Sequence, residues 1–361
     1  RIYKGIAKYT ANFTPPERIA EIGVGFKTGA LRYNTDSNKV ELYDGNQWVE
    51  VQSSNVGLST SGDTGPGARG VFAGGESTTN VIEYINISST GNAVDFGDLV
   101  VARRFATGCS SSTRGLFGTG GTPYNQDIDY ITISSTGDAQ DFGDASVTGL
   151  VTRCGALSNS TRGMWAGGFT PGPTLINTIQ YVTISSTGDT KDFGDLTIAR
   201  YELGGFASPT RGIFVSGSDI GTPQTYQNVI DYVTISTLGD AQDFGDISAG
   251  LTRGACGFAN ATRGVYGSGY FSPSRTNTIE YITISSLGNG INFGDLTEAK
   301  SEVYGACCSP TRGLWAGGQN PALSDVIEYV TINTQGDAVD FGNLSTTKSG
   351  VAACSNAHGG L

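Results

Sequence analysis

The 361-residue chain holds one histidine, His358, one methionine and only 15% charged residues. No stretch approaches the roughly 20 apolar residues of a membrane-spanning helix. Each shortage excludes something. With one histidine near the end, Ser-His and Cys-His nucleophilic arrangements have no base elsewhere in the chain. A net charge of −11 argues against general binding to nucleic acid or to an anionic membrane, because the phosphate contribution needs a basic footprint. The opening Arg1 to Lys8 has no apolar signal core, so export by the general secretory route is not expected. With 54 glycines, turn-dense β structure is expected and almost no helix.

The six cysteines do not suggest a disulfide framework. Cys109, Cys307 and Cys354 occupy one repeated position, and Cys154, Cys256 and Cys308 lie nearby in the same strand. Equivalent positions in different repeats are usually too far apart to bridge, so buried free thiols are expected.

What is abundant is repetition. Arg-Gly recurs at Arg69, Arg114, Arg162, Arg211, Arg263 and Arg312, at intervals of 45, 48, 49, 52 and 49 residues. Each is followed by an aliphatic-aromatic pair, a glycine stop, Ile-x-Tyr-x-x-Ile, a Gly-Asp/Asn turn and an Asp-Phe-Gly-Asp element. Periods of this length suit propeller blades, and the short apolar/polar alternations, as in Val81 to Ile87, read as half-buried strands. Four strands per unit are expected: a second strand from Arg-Gly, a third through Tyr, a fourth through Asp-Phe-Gly, and a first strand opening the next unit. The stretch from Gly350 to Ala357 matches Ala106 to Ser112, while Thr60 to Ala68 offers no first strand to the unit at Arg69. The last strand is therefore expected to complete the first blade, removing exposed sheet edges, and truncation after about Lys348 to do more harm than its length suggests. The fold class read here is all-β: a six-bladed propeller closed by this strand, with a small N-terminal β module.

The order Arg, small-residue strand, aromatic-Gly-Gly, Tyr, as in Trp165-Ala166-Gly167-Gly168 followed by Tyr181, resembles the kelch repeat. It departs where kelch units usually carry Trp on the fourth strand, for here stand Phe96, Phe142, Phe193, Phe244, Phe293 and Phe341. The wording Tyr-x-Thr-Ile-Ser-Ser-Thr-Gly-Asp-Ala-Gln-Asp-Phe-Gly-Asp, as from Tyr130 to Asp144, with His358-Gly359-Gly360-Leu361, resembles repeat proteins of marine bacteriophages, especially cyanophages. Near the start, Gly29 to Thr35 and Asn38 to Trp48 read as three short strands with turns at Asp36-Ser37 and Asp44-Gly45, similar to a module common in phage tail and head fibre proteins. The layout is then residues 1–51 as attachment module, 52–67 as linker and 68–361 as propeller. The resemblance implies a tail-fibre or receptor-binding component on the outer surface of a virion, made in the host cytoplasm. Such a protein would be homo-oligomeric, held to other virion proteins by its N-terminal module, and would adhere to host polysaccharide. The alternative is a capsid or tail decoration or adaptor whose propeller docks other virion proteins.

The Asp-Phe-Gly triplet is a repeat element, not a kinase metal site, since it recurs at Asp95, Asp141, Asp192, Asp243 and Asp340, with Asn292 once. Carboxylates such as Asp138, Asp141 and Asp144 fit turn and inter-blade hydrogen bonds; EF-hand spacing is absent, so no metal or other cofactor is expected. The Arg-Gly arginines are expected to tie to those carboxylates or to turn carbonyls. A second basic position, Arg103, Arg153, Arg200, Arg253, Lys300 and Lys348, would form a basic circle near the axis, able to grip an anionic glycan or an axial partner. No carboxylate pair departs from the repeat pattern, and a non-enzyme is expected.

The spacing from Tyr to the turn glycine is seven residues in every unit, whereas the second-to-third connections span 9 to 15 and the fourth-to-first connections 7 to 11. Both variable sets emerge on one face of a propeller, the usual place for recognition. They carry Tyr124, Asn125, Phe169, Tyr226, Gln227, Tyr270, Phe271 and Arg275, whose rings, amides and guanidinium suit either sugar contact or loop packing.

Overall fold

In the third strand of each repeat, Ile-x-Tyr-x-x-Ile alternation is overlaid by burial on both sides. Ile82, Glu83 and Ile85 are all buried, and the pattern repeats from Ile128 to Val330. A strand covered on both faces has to sit between two sheets. The computed structural model describes residues 27–34, 39–50, 68–121, 124–149, 151–247 and 253–361. Among these there is no helix, and the chain falls into two compact units, Arg1–Gly62 and Asp63–Leu361.

The smaller unit is a three-stranded antiparallel meander of Leu31–Asn34, Lys39–Tyr43 and Trp48–Glu50. Its second turn forms because the Asp44 carboxylate accepts from the N–H groups of Asn46 and Gln47, both at 2.8 Å, which also holds that carboxyl below its ordinary range. The turn expected at Asp36-Ser37 and the linker expected over 52–67 lie outside the described residues.

The larger unit is a six-bladed β-propeller. The first sheet runs, from the inside outward, Ala352–Ser355, Arg69–Ala73, Val81–Asn86 and Val94–Asp98, with Cys354 opposite Val71. The other first strands are Thr107–Ser110, Gly155–Ser158, Gly204–Ala207, Cys256–Ala259 and Gly305–Cys308. Each packs beside the next, and Ala352–Ser355 lies beside Thr107–Ser110. The apolar interior is divided accordingly into six clusters, one per blade interface. Phe193 and Phe214 meet in one, and Phe341 meets Phe72 and Ile85 in the cluster between the last blade and the first.

Two repeated devices hold neighbouring blades together. The turn after each third strand caps the fourth strand of the preceding blade. The N–H of Gly137 donates to Phe96 O (2.7 Å), that of Ala139 to Asp98 O (2.8 Å), and Asp98 N–H donates to the Asp138 carboxylate (3.1 Å). Gly97, at φ +149°, is required there, since a Cβ would stand 2.5 Å from the Gly137 carbonyl. The same set recurs around the ring to Gly91 and Asn92 on Phe341 and Asn343.

The second device is the Arg-Gly arginine. Arg69 donates to Ile133 O (3.0 Å), Arg114 to Ile184 O (2.9 Å) and Arg312 to Ile87 O (3.0 Å), each guanidinium lying over its own blade's tyrosine, with Arg312 4.4 Å from the Tyr329 ring centroid. The carbonyl alternative therefore holds, and the carboxylate one does not. Each such tyrosine meets the buried Asp-Phe-Gly phenylalanine edge-on, as Tyr84 meets Phe96 at 5.9 Å.

Candidate binding site at the axial mouth

The expected basic circle is not there. Arg103, Arg200, Lys300 and Lys348 are buried in ion pairs with third-strand carboxylates of the following blade: Asp129 (2.9 Å), Asp231 (2.9 Å), Glu328 and Glu83 (2.6 Å). Each carboxylate also accepts a backbone N–H from the connection that leads in, from Val100, Thr197, Thr297 and Ser345 in turn. The carbonyls of Arg103, Arg200, Lys300 and Lys348 accept from Gly75, Gly168, Gly269 and Gly318 of the blade before, so each basic residue clamps two blades. Burial pushes Glu83 up, but bonds from Lys348 and Ser345 outweigh it and hold it low. At Asp129 burial wins over Arg103 and the carboxyl is raised.

Arg153 and Arg253 belong to other columns. The carbonyl equivalent to those four is that of Val151, which accepts from Gly120 at 3.1 Å, and the facing acid is replaced in the same blade by Gln180. Arg153 sits two residues beyond, at the left-handed position shared by Phe105, Glu202, Gly254, Glu302 and Gly350, with φ from 55° to 69°. Their backbones link across blades: Phe105 N–H to Gly350 O, Glu202 N–H to Arg153 O, Gly254 N–H to Glu202 O and Gly350 N–H to Glu302 O, at 2.8 to 3.0 Å. Four of the six are not glycine, and a left-handed residue with a side chain costs energy that only a demanding environment sustains.

Here side chains from five blades converge. Both oxygens of Glu202 face guanidiniums, Oε1 that of Arg153 and Oε2 that of Arg253 (3.4 Å). Arg153 lies 4.0 Å over the Phe105 ring, which meets Tyr304 edge-on at 5.8 Å. Arg253 donates to the Tyr201 hydroxyl (3.1 Å) and lies 4.7 Å from the Tyr270 ring centroid. Beside this cluster opens a cavity of about 210 Å³ lined by Glu202, Arg253, Tyr270, Arg275, Ser301, Glu302 and Gln319.

The aromatic loop residues run outward from it in two groups. Tyr124 meets Phe169 at 6.4 Å, and Phe169 meets Tyr201 at 5.2 Å. Tyr226 meets Tyr270 at 6.4 Å and Phe271 at 5.3 Å, its hydroxyl accepting from Ser272 N–H. In the fifth blade the third and fourth strands lengthen to Ser274–Thr283 and Ile291–Lys300, and Tyr270–Phe271 folds back with Tyr270 opposite Arg275. That extension lifts Phe271, 49% exposed, to the surface. Asn125 does not join the aromatic groups: it is buried, and its side chain accepts from Asp127 N–H to shape its own loop. Gln227 is half-buried, its N–H spent on Gly217 O.

Repeat comparison missed Glu202, Glu302, Tyr201, Tyr304, Ser301 and Gln319. The left-handed residue stands ten positions before the next Arg-Gly glycine at Phe105, Arg153, Glu202 and Gly254 but eleven before it at Glu302, so a one-residue shift ahead of the first strand hides the column in the sequence. Asp138 and Asp141 accept backbone N–H groups of Asp98 and Gly143, and Asp144 accepts from Gln126. Among the described residues, no group of three or more His, Cys, Asp or Glu could hold a metal ion. All six cysteines are free.

The opposite end of the axis differs. The tunnel between first strands has about 50 Å³ of free space, and His358-Gly359-Gly360 fills its end, with His358 Nε2 2.8 Å from Ser110 O and Gly359 N–H donating to Ala259 O. A Cβ on Gly360 would stand 2.0 Å from Ser158 O. No protein-family model matches the chain, and a search of curated proteins finds no match.

Proposed function

We propose that this protein is a non-catalytic adhesin: a bacteriophage tail-fibre or receptor-binding component whose propeller grips host-surface polysaccharide through the face bearing the variable connections. The observation that carries the binding face is the shelf of Tyr226, Tyr270 and Phe271 beside the axial cavity. A flat ring exposed next to buried polar donors and acceptors suits a sugar, which presents one apolar face and a rim of hydroxyls. Support for a virion origin comes from the repeat wording and the N-terminal hairpins. The exposed Leu31, Tyr33 and Leu42 of the small unit suit attachment to a virion partner or to further copies of this chain. Against catalysis stands Glu202, whose two oxygens both face arginines and leave neither free for acid-base work.

The test is adsorption of purified protein to host cells. Replacing Tyr226, Tyr270 and Phe271 together by Ala should weaken adsorption at least about tenfold with the thermal midpoint kept above working temperature. Unchanged adsorption by a folded triple variant overturns the binding face. Co-assembly with virion proteins in the absence of any cell binding replaces the reading with the adaptor one, and release of reducing sugar would make the protein a depolymerase.

A further inference from the structure

Resting on the reading that this face binds glycan, we propose that the axial cavity takes a single acidic sugar, a pyranose ring bearing one carboxylate, with Arg275 as the carboxylate anchor. Three features of the site carry this.

The first is size. About 210 Å³ is below the roughly 300–1,000 Å³ of sites for drug-sized ligands, so the space suits one ring, with the remainder of a chain lying over Phe271.

The second is charge. The lining residues Arg253 and Arg275 balance Glu202 and Glu302, and Arg153, which pairs with Glu202 beside the cavity, leaves one positive charge in excess, in a chain whose net charge is −11. Arg153 and Arg253 are committed to Glu202, and Glu302 accepts from Ser349 Oγ. Arg275 donates through Nε to Ser301 Oγ (3.1 Å) and makes no ion pair among the described residues, so its terminal nitrogens remain available as a fork that matches a carboxylate.

The third is an unmet hydroxyl. Tyr304 is 7% exposed and its phenol oxygen has no hydrogen-bond partner among the described residues, although it lies among Arg153, Glu302, Arg253 and Tyr201. A buried hydroxyl left unpaired is costly; Tyr304 stands behind the lining residues Arg253 and Glu302, and a ring hydroxyl reaching between them would satisfy it. With Ser301 and Gln319 the walls both donate and accept, which is what vicinal hydroxyls require. An acidic peptide would use the fork but not the adjoining aromatic shelf.

The experiment is calorimetric titration of the full chain with an oligouronate and with the same oligosaccharide after carboxyl reduction. The uronate should bind at least about tenfold tighter, and added salt should weaken it. Arg275→Gln should abolish that preference and Arg275→Lys should recover only part of it. Tyr304→Phe should lower affinity while leaving the thermal midpoint unchanged or raised, an outcome that a packing role would reverse. Equal binding of the reduced oligosaccharide, or an Arg275→Gln variant that keeps the preference, overturns the inference and leaves glycan adhesion standing. Polyglutamate binding with the same Arg275 dependence, and no saccharide binding of either kind, overturns both.

Discussion

Gly70, Gly115 and Gly163 follow repeat arginines because of what faces them. A Cβ there would stand 2.6, 2.7 and 2.6 Å from the sulfurs of Cys307, Cys354 and Cys109, each from the first strand of the preceding blade. Leu157, Phe206 and Phe258 play the same part against Gly212, Gly264 and Gly313. The cysteines are thus apolar fillers at a knob position that other blades fill with larger side chains. Burial pushes Cys354 and Cys308 up to about 12, so both stay thiols. Gly115→Ala should cost about 1–3 kcal/mol of overpacking, and adding Cys354→Ala should return part of it. A double-mutant cycle in denaturant checks this, and strict additivity of the two changes would refute the contact. Repetition of Arg-Gly made the glycine visible in the sequence, but its reason was not, because the sulfur it accommodates lies in another repeat.

At the scale of the element, the connection from one blade's fourth strand to the next blade's first strand is pinned by a buried charge pair in four places. Such a pair need not stabilise relative to an apolar one, but removing half of it strands a charge at a cost of about 3–5 kcal/mol. The third blade carries the alternative, Val151 with Gln180, the amide bonded to Thr148 and Thr190. Arg200→Val alone should therefore lose stability on the scale just given, whereas Arg200→Val with Asp231→Gln should recover at least half the loss. If the double variant unfolds as readily as the single one, the stranded carboxylate is not the cause. Basic residues at near-regular spacing looked like one functional ring in the sequence. Four serve the scaffold, and only the two out of register, Arg153 and Arg253, reach the axial mouth.

For the whole molecule, the segment after Ser355 plugs one end of the tunnel while the other end carries the candidate site. The surrounding strands take most of the His358 ring out of water and push its pKa down to about 4. Between the ordinary value near 6.5 and about 4, the unfolded chain takes up a proton that the folded ring refuses. Stability is then full above pH 6.5 and falls as pH drops across that window. Partial exposure of the residue keeps the loss to about 1–3 kcal/mol. His358→Gln should flatten that part of the pH–stability curve, and an unaltered slope in the variant would assign it to other groups.

The sequence by itself determined the blade count, the four-strand repeat and the face on which connections vary, because period, alternation and turn glycines act over a few residues and recur six times. It also singled out Tyr226, Tyr270, Phe271 and Arg275, which the fifth-blade hairpin brings together beside the cavity. Only the tertiary structure decided which charges are buried and which remain at the mouth. Glu202, Glu302 and Tyr304 are separated in sequence from Arg153 by whole repeats or large parts of them, and side chains meet at an axis only when the ring of sheets sets their distances. A charge's role depends on what faces it, and in this fold the facing group belongs to a different blade or to a distant strand.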